Sequence, residues 1–201
     1  MWNFCLPQTL TSVTTGLAGT VATIVLATQD NGIAEVAIFE TARQIQTSVL
    51  YLPNIATQAL LPTLTEFNAL KDKKRYIKTL KYNALLNVLL AALTAAAASG
   101  LAPWAMRAFG KSFEGGVATL ILLLGVGVIL SVCNVCASAL TSLGAVWSGF
   151  FLNAIWGAFF LSGAWLAAVG GGGAFGLATA SLVAYVVYLL CCLCFIRRRL
   201  R

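Results

Sequence analysis

Apolar runs of about 20 residues recur along this chain, each the length needed to cross a hydrocarbon core of about 30 Å. Six can be counted, at approximately 7–28, 44–65, 79–104, 117–141, 147–169 and 174–196. The longest polar stretch between them runs from Glu66 to Lys81 and leaves no room for a soluble domain. A soluble surface carries roughly 25% charged residues, whereas this chain has 9% and a mean hydropathy of +0.89. The expected fold class is an all-α integral membrane protein of six transmembrane helices, forming one unit over residues 1–201.

Charge sets the expected orientation. The segment "KDKKRYIKTLK" holds six of the thirteen Lys and Arg residues, and the tail "RRRLR" holds four more. Four spans separate the two, so both lie on one side, which the positive-inside rule makes cytoplasmic. An even number of spans then puts the N-terminus inside as well. No basic n-region precedes the first run, so no signal peptide is expected. Basic residues beside a membrane helix read as topology determinants attracted to acidic membrane lipids, and no nucleic-acid partner is expected.

Polar residues within the spans carry the functional signal. Glu40, Gln44, Thr47, Tyr51, Asn54 and Gln58 recur at intervals of three and four, one face of an α-helix. Ile45, Val49, Leu52 and Ile55 occupy the other face. Lipid accepts only the apolar face, so the polar stripe is expected against other helices or water. Arg43 stands three residues from Glu40, within pairing reach. The two read either as an interfacial ion pair at a helix end or as the charged rim of a hydrophilic cavity. The stripe continuing inward favours the rim. Ser12, Thr15, Gly19 and Thr23 share a face of the first span, and Ser131, Asn134, Ser138 and Thr141 a face of the fourth. Such spacing of small and hydroxyl residues commonly serves helix packing. Asn54, Asn134 and Asn153 are costlier to leave unpaired in hydrocarbon and point to a shared polar interior. Pro53 and Pro62 permit a kink in the second span.

Catalytic chemistry finds few candidates, and no enzyme activity is expected. Histidine is absent, which removes the usual general base and the commonest metal ligand. The six cysteines lie mostly within apolar runs without zinc-site spacing and read as packing residues. Only Asp30 and Asp72 could supply aspartate ligands, and the glycine-rich stretches lack the Lys-Ser/Thr ending of a phosphate-binding loop. No metal or cofactor is expected.

The order of landmarks resembles a known family. "NGIAEVAIFETARQI" and "LYLPNIATQALLPTLTEF", then "FGKSFEGGVATLILLLGVG", "ASALTSLGAVWSGFFLNAIWG" and "GGGAFGLATASLVAYVV" resemble the second six-helix lobe of bacterial polysaccharide and O-antigen flippases. These belong to the multidrug/oligosaccharidyl-lipid/polysaccharide exporter superfamily. The resemblance spans nearly the whole chain, and it is order and spacing that carry it. It implies one lobe of a two-lobe exporter in the bacterial inner membrane, moving a lipid-linked oligosaccharide from the cytoplasmic to the periplasmic leaflet. Glu40, Arg43, Gln44, Tyr51, Asn54 and Gln58, with Asn134 and Asn153, would then line the substrate cavity. The first lobe would lie in the remainder of a longer chain, in a separately encoded partner, or in a second copy within a homodimer. Two alternatives stand beside this reading: a degenerate lobe acting as a non-transporting scaffold, and a multidrug exporter lobe that expels small cations.

Overall fold

The computed structural model describes residues 2–29 and 31–200. Among these, seven α-helices follow one another: α1 (Trp2–Ala27), α2 (Gly32–Val49), α3 (Tyr51–Ala69), α4 (Lys73–Ala108), α5 (Val117–Ser142), α6 (Val146–Val169) and α7 (Gly173–Leu200). A 3₁₀ turn at Lys111–Gly116 joins α4 to α5. Asp30 and the last arginine of the tail, Arg201, lie outside the described residues.

Short turns connect the helices, and their residues explain them. Asn31 adopts a left-handed backbone (φ 58°) ahead of α2, a shape asparagine tolerates better than most residues. Gly144 does the same (φ 69°) between α5 and α6, where the Ala145 N–H returns to the Leu140 carbonyl at 2.9 Å. Asp72 caps α4 by accepting from the Arg75 N–H at 3.0 Å. Most of the basic segment expected as a loop is therefore helical, forming the first turns of a 36-residue helix.

The expected second span is a rod broken at one residue. Pro53 has no N–H to offer the Val49 carbonyl, so the ladder lapses there and Leu50 separates α2 from α3. Flanking bonds persist, from Leu50 N–H to the Gln46 carbonyl and from Asn54 N–H to the Leu50 carbonyl, each at 3.0 Å. The rod therefore continues through Leu50, with the ladder interrupted at a single point. Helices α1, α4, α5, α6 and α7 are long and apolar enough to cross a membrane, which marks a multi-pass helical membrane protein. Neither half of the rod meets that standard: α2 carries Glu35, Glu40 and Arg43, and α3 is made too polar by Asn54, Gln58, Glu66, Asn68 and its threonines and prolines.

Helix α5 forms the centre. Leu120, Leu123, Leu124, Val126, Val135 and Leu140 are all buried along it, against α4 and α7 and, more lightly, α2 and α3. A second layer stacks α1 on α6 and α6 on α7. Small residues bring those backbones together: a Cβ on Gly163 would come within 2.8 Å of Ala180 Cβ, and one on Gly176 within 2.9 Å of Ala167 Cβ. Close approach of this kind drives helix association where no hydrophobic force acts between helices. Cys133, Cys136 and Cys192 pack as buried free thiols between α5 and α7.

Candidate functional site

Helix α1 leans on α6 whereas α2 leans on α5, so these sequence neighbours diverge. The space between them is a cleft of about 410 Å³, closed behind by α5, α6 and α7. One wall carries Ser12, Thr15, Gly16, Gly19 and Thr23 of α1. Its threonines are satisfied within their own helix, Thr15 Oγ1 donating to the Thr11 carbonyl at 2.9 Å and Thr23 Oγ1 to the Thr20 carbonyl at 2.9 Å. They need nothing across the gap, and their oxygens remain able to accept.

The back wall is aromatic. Trp156 stacks on Phe160 with centroids 5.2 Å apart and meets Tyr185 at the same distance, tilted by 41°. All three line the cleft, with Phe39 from α2. Trp156 is only 8% exposed, and its indole N–H has no hydrogen-bond partner among the described residues. A buried donor without an acceptor is uncommon enough to call for a partner.

Charge sits at the rim. Arg43 donates to Glu40 Oε2 through Nη2 at 2.7 Å and through Nε at 3.0 Å. Their side chains are 55% and 38% exposed, so the pair adds little to stability and is open to a ligand. Glu40 and Arg43 also line an open groove of about 760 Å³ with Gln44, Thr47, Ser48 and Tyr51. Cleft and groove thus share a charged edge.

The sequence-derived residues divide between these places. Glu40 and Arg43 edge the cleft, and Gln44 and Tyr51 lie in the open groove. Asn134 Nδ2 donates to Asn54 Oδ1 at 2.9 Å and ties α5 to α3. Asn153 does not join them; it donates to the Gly149 carbonyl of its own helix at 2.9 Å. Gln58 is exposed on α3. Much of the stripe therefore faces outward from this chain rather than against its own helices. The buried line of the rod is instead Phe39, Ala42, Gln46, Leu50, Pro53 and Thr57.

Several polar residues go beyond those singled out from the sequence. Gln46 Nε2 donates to the Leu123 carbonyl at 2.6 Å, fixing α2 to α5 beneath the cleft. Thr57 Oγ1 donates to Asn87 Oδ1 at 3.0 Å, and Asn87 Nδ2 to Asn83 Oδ1 at 2.7 Å. Glu35 reaches the start of α7 and accepts from the Ala174 N–H at 2.6 Å. Gln46 could have been found from its spacing with Phe39 and Ala42, and Asn87 from its position four residues after Asn83. Glu35 left no local signal, since its partner lies 139 residues away. No family model, curated protein or solved structure matches this chain.

Proposed function

We propose that this chain is one six-helix lobe of a flippase that moves a lipid-linked oligosaccharide, such as a polysaccharide or O-antigen repeat unit, across the bacterial inner membrane. The α2–α3 rod acts as the second of six crossings. The first turns of α4 and the end of α7 share the basic end of the bundle, which is cytoplasmic by the positive-inside rule, and both termini lie there. The make-up of the cleft carries the reading. Aromatic faces accept the C–H surface of a sugar ring, while side-chain hydroxyls and the Trp156 N–H exchange hydrogen bonds with its hydroxyls. Arg43, at the rim, suits a phosphate group, which its planar fork can grip with two bonds.

The exposed stripe supports a two-lobe arrangement. Gln44, Thr47, Tyr51 and Gln58 are exposed in this chain, and polar side chains in a span face protein or water rather than lipid. A partner lobe would cover them across a shared aqueous path. The multidrug-exporter reading has less to draw on, because Glu40 is the one carboxylate among the residues lining the cleft and it stands at the rim rather than deep within.

Proteoliposomes loaded with a fluorescent lipid-linked oligosaccharide test the proposal. The variant Arg43→Ala, at equal protein level, should cut transport by about tenfold or more, the effect of losing charge-assisted hydrogen bonds. Unchanged transport would sink the cavity assignment. A wild-type chain that moves no cargo, alone or with a partner lobe, would favour the scaffold reading.

A further inference from the structure

A second concavity lies on the opposite side of α5. Cleft residues Leu123, Val126 and Leu130 point one way from that helix, and Val132, Val135 and Cys136 point the other. The latter three wall a groove of about 570 Å³ between α4, α5 and α7, inside the size range of about 300–1,000 Å³ for ligand sites. Ile77, Leu80 and Ala84 of α4 and Leu193 and Ile196 of α7 complete its apolar lining. Two cations also line it, Lys81 and Arg197. Neither has a carboxylate partner among the described residues, where the ion pairs are Arg43–Glu40, Arg75–Asp72 and Arg107–Glu114.

An apolar trough with two unpaired cations complements a molecule having a hydrocarbon chain and an anionic head. Lys and Arg side chains run their stems along apolar surface and hold their charges at the interface, where a phosphate would meet them. Basic pockets between transmembrane helices on the cytoplasmic side recognise anionic headgroups in this manner. The groove lies at the end of the bundle bearing most of the basic residues, the end that the positive-inside rule assigns to the cytoplasm. It shares no lining residue with the cleft.

The geometry points to a binding site for an anionic glycerophospholipid of the bilayer, with its phosphate between Lys81 and Arg197 and an acyl chain along Ala84, Val132 and Leu193. The site is independent of what the cleft transports. It holds a structural lipid that fills the seam between α4 and α7.

Native mass spectrometry of the full chain, released from nanodiscs of equal phosphatidylglycerol and phosphatidylethanolamine, tests this directly. The wild type should retain one phosphatidylglycerol in preference to phosphatidylethanolamine. Lys81→Gln/Arg197→Gln should weaken retention about 25-fold, from about fivefold for each charge removed near the membrane surface. Lys74→Gln/Arg198→Gln removes the same charge from the same end but outside the groove, and should retain the lipid. Ala84→Phe narrows the trough without changing charge and should also lose it. Equal loss in both charge variants would overturn the site in favour of diffuse attraction. Full retention in Lys81→Gln/Arg197→Gln or in Ala84→Phe, or equal retention of the two lipids by the wild type, would overturn it as well.

Discussion

Two helix pairs in this molecule are built alike and finish differently. Helices α6 and α7 are joined by a glycine turn and pack at backbone distance, Gly163 against Ala180 and Gly176 against Ala167. Helices α1 and α2 are also joined by a short turn, yet a cleft of about 410 Å³ separates their faces. Glycines alone do not explain the difference, because α1 has Gly16 and Gly19 on its cleft face, and a Cβ at either would meet nothing within 4 Å. What differs is the opposing surface. Across from Gly163 and Gly176 stand alanines that fit; across from α1 stand Glu40 and Arg43, which bond each other and remain at the rim. A small-residue face closes only when the facing surface is also small and apolar.

The largest test of this contrast enlarges one glycine on each side. Gly176→Leu should cost about 3 kcal/mol by forcing α6 and α7 apart, read as earlier unfolding in an SDS titration followed by circular dichroism. Gly16→Leu should change stability by less than about 0.5 kcal/mol, because its side chain enters open space. Equal losses would mean that the cleft is closed in the membrane. A smaller effect comes from the strut that ties the open pair to the closed one. Glu35→Ala removes the carboxylate at the start of α7, costing about 1–2 kcal/mol in the same titration, and should raise hydrogen exchange in the first turn of α7. The smallest is Arg43→Ala, expected within about 0.5 kcal/mol of wild type in stability, since the pair is solvent-exposed. A large loss there would recast the rim as structural.

Those residues also mark what could be seen without coordinates. The stripe from Glu40 to Gln58 was legible because helical periodicity brings residues three and four apart onto one face, and the Glu40–Arg43 pair followed from the same rule. Its outward direction was not legible, since periodicity gives a face and not its neighbour. The interruption at Leu50 was legible in Pro53. The helical state of the basic segment is hidden because charge density reads as loop, although Asp72 ahead of "KKR" is a helix-start signal. The aromatic wall draws Trp156 and Phe160 from α6 and Tyr185 from α7, and only tertiary packing assembles it.

The break at Leu50 has a mechanical consequence. Helix α2, at 18 residues, is about 27 Å long at 1.5 Å per residue, and Leu50 stands at its inner end. A swing of about 10° there would carry the far end through about 5 Å while α3 stays seated on α4 and α5. The Glu35 carboxylate is bonded near that far end, where leverage against such a swing is greatest. One hydrogen bond so placed resists rotation far more effectively than the same bond beside the pivot.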